Sequence, residues 1–429
     1  MTDEYLGDDN IIDDDETKKL NEDIKLPTED EVMKSIAINV DEEDVEEIDE
    51  EEPQSEEVEI KKPEVKSTKD IKIENEAQEL YDDFSCFLEK TSDIKTSKEE
   101  RMVIPTGIRV LDAYLGGGFA VGALGIIAGT PGSGKSMLTA QTLANAQKIY
   151  RGKQFISGFM DSEESTSKIR LAQLGVRNPP INPIGNLTVE KVFKFLEGMC
   201  LYKDKNKISH IPSVAIWDSI ANTLSEREQE ASDINQVIGY KARMLSILVP
   251  KYVARASQYN ICWLAVNQLR DNINMGQFAP QADLKFLSSS KIMPGGQVLR
   301  FNAFQLIEMG VKSALKSDDG ANKKYGMDGI IAKAKIVKNK LFVPNVTVEI
   351  LGSFVTGFSD FWTSYYHLAN SGRIKTGSWN TLINAPEIKF RAKDAHNRYK
   401  SEPKLAEAFD EMVEDYIQKD IIERYTVVE

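Results

Sequence analysis

From Met102 to about residue 340 the chain repeats one rhythm: an apolar run of strand length, then a longer stretch with apolar residues at helical spacing. The runs are Ala123–Ala128, Gln154–Met160, Val214–Trp217, Ile261–Val266, Phe304–Met309 and Ala332–Val337, and the long segments between the first four predict crossover helices. Apolar strands buried on both faces and joined by helices imply an α/β fold with a mainly parallel sheet, whose ligands sit at the C-terminal strand ends. Ahead of this block, Ile73, Ala77, Leu80, Tyr81, Phe84 and Leu88 fall at helical spacing and predict a short amphipathic helix over Ile71–Leu88. Past Gly352 the pattern turns helical, and the stripe Phe409, Met412, Val413, Tyr416, Ile417 predicts a small α-rich C-terminal domain. The expected boundaries are 1–69 for an arm and linker, 70–100 for the helix, 101–352 for the core and 353–429 for the last domain.

Charge changes this picture at one end. Residues 1–60 hold 26 Asp or Glu against 4 Lys, a charge of −22 in a chain whose net charge is −15, so the remainder carries +7. Runs such as Asp13-Asp14-Asp15 repel themselves and offer little to bury, which predicts a disordered acidic arm. Such an arm is either a solubilising tail or a polyanion that competes with nucleic acid for the protein's own basic surface. Cys86, Cys200 and Cys262 are scattered and odd in number, without the spacing of a zinc site or a disulfide framework, so a reducing, cytoplasmic setting is expected. The N-terminus reads as neither signal nor transit peptide. Ala113 to Gly134 is uncharged and nearly long enough to span a bilayer, but its eight glycines and Pro131 suit a turn, strand and loop.

The chemistry begins in that stretch. Gly129, Thr130, Pro131, Gly132, Ser133, Gly134, Lys135 and Ser136 match G-x-x-x-x-G-K-[ST], after an apolar strand and before a helical segment opening at Met137. Glycines let backbone N–H groups turn inward around phosphates, and the positive end of the helix faces them. Lys135 is expected to reach the β- and γ-phosphates of ATP and the Ser136 hydroxyl to hold Mg²⁺. Two further strand ends carry acids: Asp161-Ser-Glu163 and Asp218-Ser219. Either could be an ordinary helix cap, but Asp218 fits a Mg²⁺ partner and Glu163 a base that orients the attacking water.

Ile104-Pro-Thr-Gly107 through Leu111-Asp112, the phosphate loop, Phe159-Met-Asp161-Ser-Glu163, Trp217-Asp218-Ser219, Val266-Asn267-Gln268 and Lys335-Ile-Val-Lys338-Asn-Lys340 together resemble the RecA recombinase core. The resemblance covers about Ile104 to Gly352. It implies a RecA-like P-loop NTPase core and an oligomerisation role for the 70–100 helix. It also implies an ATP-dependent, Mg²⁺-requiring homologous recombinase that forms helical filaments on single-stranded DNA and pairs it with a duplex, with loader or single-strand-binding proteins as further partners and no membrane. Glu163 falls at the family's catalytic glutamate, Asp218 at its Mg²⁺-associated aspartate and Gln268 at its sensor glutamine. Lys338 and Lys340 fall on the pair that reaches across to the neighbouring protomer's ATP; a solvated basic edge is the plainer alternative for two lysines at i and i+2. DNA contact is expected from two loops, one within Ser225 to Gly239 leading to Arg243, the other from Leu269 to Gln297. Arg243, Arg270, Gly295, Gly296 and Arg300 are the phosphate-contact candidates. Phe301 stands at the family's protomer interface, or else is a core phenylalanine.

Three departures mark this chain. Arg170 stands where the family has an adenine-stacking tyrosine, the second loop is longer, and the acidic segment is N-terminal. Such divergence looks more like a phage recombinase, working in a host cytoplasm, than a housekeeping bacterial one. A hexameric helicase with the same core and a non-catalytic mediator remain alternatives; nothing suggests the lid of a small-molecule kinase.

Overall fold

The computed structural model describes residues 101–163, 166–178, 180–181, 185–232, 239–271, 291–317 and 325–426. The predicted acidic arm, the predicted helix over Ile71–Leu88, Cys86 and the interiors of both predicted DNA loops lie outside the described residues. The described chain divides into two compact units, Ile104–Thr363 and, with residues 101–103, residues 364–426.

The first unit is built on eight strands and their connections. In chain order these are β1 (Ala123–Gly129), α1 (Lys135–Ile149), β2 (Ser157–Asp161), α2 (Val189–Lys205), β3 (Ser213–Asp218), α3 (Tyr240–Gln258), β4 (Ile261–Gln268), α4 (Gln297–Asn302), β5 (Gln305–Leu315), β6 (Gly329–Asn339), β7 (Val346–Ser353) and β8 (Gly357–Phe358). The sheet order is β8-β7-β6-β5-β1-β4-β3-β2. From β2 to β5 every neighbouring pair is parallel, as the crossover pattern predicts, and β6, β7 and β8 then continue antiparallel. All seven residues of β1 are buried, so its unbroken apolar run reflects two covered faces.

Each crossover helix follows its own local logic. The Thr188 hydroxyl caps α2 by accepting from the Lys191 N–H, and Val189, Val192, Phe193, Leu196, Met199 and Cys200 recur at helical spacing on its buried side. The matching stripe of α3 is Leu245, Leu248, Val249, Tyr252 and Ala256. Between them, Phe193 meets Trp217 of β3 and Trp263 of β4 edge-on, and the two indoles stack at 6.4 Å. Such aromatic pairs contribute roughly 0.5–1.5 kcal/mol each beyond area burial. The fully buried Lys203 at the end of α2 donates to Ile211 O and Ser213 Oγ, fixing the entry to β3.

The sheet runs past Gly352, where the sequence pattern turns helical. Gly352 pairs with Phe358 inside the β7–β8 hairpin, and the first helix after it is Asp360–Asn370. The second unit is helical but also holds a three-stranded antiparallel sheet of Ile374–Lys375, Asn380–Leu382 and Lys389–Phe390. Its helix Pro403–Tyr416 buries Leu405 together with Phe409, Met412, Val413 and Tyr416 of the predicted stripe, while Ile417 is half-buried in the turn that follows. Among the described residues no helix is long and apolar enough to cross a membrane.

Candidate nucleotide and nucleic-acid site

The C-terminal ends of β1, β2, β3 and β4 lie side by side, and the predicted chemistry gathers there. Gly129 ends β1 in register with Gln268, and Asp161 pairs with Asp218. The glycine loop then turns into α1. A Cβ on Gly129 would sit 2.2 Å from Met309 O, so no side chain fits where the loop leaves the sheet. Gly134, at φ +88°, provides the left-handed turn that starts α1. The loop is closed on itself: Ser133 Oγ donates to Thr130 O at 2.8 Å and Lys135 Nζ to the same oxygen at 2.7 Å. Pro131 and Gly132 stand exposed at its tip, while Met137 is buried beneath it.

Charges converge behind the loop. Burial pulls the Lys135 ammonium below its usual range, and the Asp218 and Glu163 carboxylates oppose that shift. Burial pushes the Asp218 carboxyl up to about 6; Asp161 and Glu163 add to the rise, while the hydrogen bond with the Ser136 hydroxyl and the Lys135 charge counter it. The Ser136–Asp218 contact joins the two residues that the sequence nominates around Mg²⁺. Asp161 does local work: its two oxygens accept from the Glu163 N–H at 3.0 Å and the Thr166 N–H at 2.7 Å, which sets the turn that presents Glu163.

The Glu163 side chain is held from two directions. Gln268 Nε2 donates to its Oε1 at 3.0 Å, and Asn222 Nδ2 donates to the same oxygen. Asn222 was not legible as a site residue; it is one polar residue in the turn after β3, and no motif marks it. Beyond Gln268 the chain makes a short ribbon in which Arg270 pairs with Ile292 and Asp271 with Lys291. The buried Asn267 donates to Pro294 O at 2.7 Å, tying the end of β4 to the far end of the same excursion. Gly295 and Gly296 follow in left-handed conformations, φ +101° and +82°, and lead into α4.

The other candidates are placed as follows. Arg243 is exposed in the first turn of α3, and Arg270 is exposed at the ribbon. The opening of the first predicted DNA loop is helical: Ser225 and Glu228 form a reciprocal capping box on the helix Glu226–Glu230. Phe301 is 71% exposed at the end of α4, which overturns the core reading. Lys338 donates to the carbonyls of Arg300 and Phe301, both at 2.9 Å, and burial with the Lys340 charge lowers its pKa. The two lysines are therefore neighbours, although β6 ends at Asn339 and a bulge at Ile336/Lys338 interrupts the strict two-residue alternation. Arg170 lies in the helix Lys168–Gln173, where its guanidinium donates to Val355 O at 3.0 Å and to Gln173.

A sheet of this order, with a glycine loop leaving its central strand and acids at the adjacent strand ends, is the RecA-like P-loop core. A family model for the RecA N-terminal domain matches residues 89–359. The chain is 28% identical over 315 residues to Protein RecA of Paenarthrobacter aurescens, a match covering 73% of this chain and 83% of that protein. To Protein RecA of Bacteroides thetaiotaomicron it is 27% identical over 325 residues, 75% of this chain and 90% of the other. To that of Xanthomonas campestris pv. campestris it is 30% identical over 252 residues, 58% and 66%. The chain belongs to the RecA-type recombinase family.

Proposed function

We propose that this protein is an ATP-dependent homologous recombinase that assembles as a helical filament on single-stranded DNA and exchanges strands with a homologous duplex. The observation that carries the reading is the contact between Gln268 and Glu163, because it joins the proposed hydrolytic carboxylate to the root of the proposed DNA loop. The residues present fit Mg²⁺·ATP: left-handed glycines shape an anion cradle, Lys135 stands at its base, and the Ser136–Asp218 pair offers oxygen ligands to a hard cation. When bound, Mg²⁺·ATP supplies the transferable phosphoryl group and neutralises charge on it.

Each residue then has a role. Lys135 binds the β- and γ-phosphates, and the backbone from Gly129 to Met137 cradles them. Ser136 and Asp218 hold the cation. Glu163 orients the attacking water, and Gln268 registers whether a γ-phosphate oxygen is available to its amide. Lys338 and Lys340 reach a neighbouring copy's nucleotide, so that hydrolysis needs assembly. Arg243, Arg270, Arg300 and the backbone of Gly295 and Gly296 bind DNA phosphates without reading sequence. Arg170 lies beside the base.

ATP turnover measured with and without single-stranded DNA, followed by strand exchange and electron microscopy, tests the reading. Stimulated turnover on helical filaments is the expected result. Equal turnover with and without DNA would overturn it, and closed rings that translocate would replace it with a helicase.

A further inference from the structure

Glu163 carries two amide donors on one carboxylate oxygen, and they come from the entrances of two different segments. Gln268 ends β4, just before the ribbon at Arg270. Asn222 stands in the turn after β3, three residues before the Ser225 cap that opens the 225–239 segment. That turn is braced. Trp217 Nε1 donates to Thr223 Oγ1, which donates in turn to Ser219 O, both at 2.8 Å.

The far end of the segment grips the same turn. Lys241, in the first turn of α3, donates its ammonium to the carbonyls of Ile220 and Thr223, each at 2.5 Å, on either side of Asn222. Burial lowers the Lys241 pKa, with the Glu228 carboxylate opposing and the Arg270 charge adding to the fall. One ammonium thus feels the capped helix, α3 and the root of the second loop. Both described ends of the 225–239 segment are attached to the turn that carries Asn222.

From this geometry we propose that Asn222 is a positioning residue for Glu163, and that its turn makes hydrolysis responsive to the 225–239 segment as Gln268 makes it responsive to the 269–297 segment. The proposal rests on the reading of Glu163 as the group that orients water. With both amides on Oε1, the second oxygen is assigned to that water; with the Asn222 amide removed, an exposed carboxylate keeps only the Gln268 contact to orient it. The role requires a donor. Aspartate has the shape of asparagine but sets an acceptor against an acceptor, so Asn222→Asp separates a donor role from a merely spatial one.

The test compares the full chain with N222A and N222D, reading ATP turnover with and without a thymidine oligonucleotide, KM, binding of a fluorescent ATP analogue, and thermal melting. The expected result is that both variants lose about 10- to 100-fold in kcat on DNA, the cost of a misplaced catalytic group. KM, analogue affinity and melting should stay within about twofold of the parent, because the contact serves the reaction step and not ground-state binding. Parental kcat in N222D overturns the proposal and leaves the recombinase reading intact, and so does a loss confined to KM. A parent chain with no ATP turnover overturns the reading of the site and this proposal together.

Discussion

Gln268 Nε2 lies 3.0 Å from Glu163 Oε1, linking the last residue of β4 to the turn beyond β2, two strands away in the sheet. On the proposed reading, an amide that leaves this oxygen for a phosphate oxygen exchanges one hydrogen bond for another and couples nucleotide state to carboxylate geometry. Gln268→Ala is expected to lower DNA-stimulated kcat by about 100-fold with KM for ATP nearly unchanged, the signature of an interaction that acts in the transition state. Steady-state hydrolysis on saturating single-stranded DNA checks it.

Lys135→Ala removes the ammonium that closes on Thr130 O and faces both Asp218 and Glu163. ATP hydrolysis should fall to background, and the rise in melting temperature that Mg²⁺·ATP gives the parent should disappear. Unchanged turnover in this variant would remove the phosphate assignment.

The Asp218 carboxyl, pushed up to about 6 by burial, gives a pH dependence with a defined sign. The folded chain keeps a proton that the unfolded chain, near 3.8, gives up; that stability is full below 3.8 and is lost as pH rises through about 6. Cation binding at Asp218, as proposed, would run the opposite way, since it needs the carboxylate. Mg²⁺-dependent ATP affinity should fall about tenfold from about pH 7 to about pH 5, and Asp218→Asn should flatten that profile. Fluorescent-nucleotide titrations across the range decide it.

Phe301 is exposed, so Phe301→Ala should leave the melting temperature within a degree or two while weakening self-association. Sedimentation of the ATP-bound protein on single-stranded DNA measures the effect. A cooperative loss of folding would contradict the exposed position.

Deleting residues 1–60 removes a charge of −22 and leaves +7. Affinity for single-stranded DNA should rise at low salt, and the gain should vanish as salt increases. Titrations at two ionic strengths, with and without the arm, make the comparison.

What the sequence made legible follows from how local each signal is. The parallel strands were readable because burial on both faces favours unbroken apolar runs, as in β1 and in Val214–Trp217 of β3. Asp218 and Gln268 were readable because they close such runs. The hairpin of β7 and β8 was missed: Val346-Thr-Val-Glu-Ile alternates, but the Gly352 and Gly357 breaks conceal its pairing. The capped helix Glu226–Glu230 escaped for the opposite reason, since five polar residues with a capping box carry no hydrophobic period. Asn222 and Lys241 were not readable at all. Their contacts are set by how strand ends distant in sequence meet in space, which neither residue's neighbours encode.

The tie between Asn267 and Pro294 has a consequence for how such a protein can change over time. The Asn267 amide ties the end of β4 to Pro294, while its other atom, Oδ1, is buried without a partner among the described residues, an unfavourable arrangement retained around one bond. With the base pinned by that amide and by the Arg270–Ile292 pairing, lengthening the intervening chain adds only a small, slowly growing closure entropy. If that excursion is the proposed grip on a polymer, it can be rewritten, residue by residue or by insertion, while the site at the strand ends beneath it stays in tune.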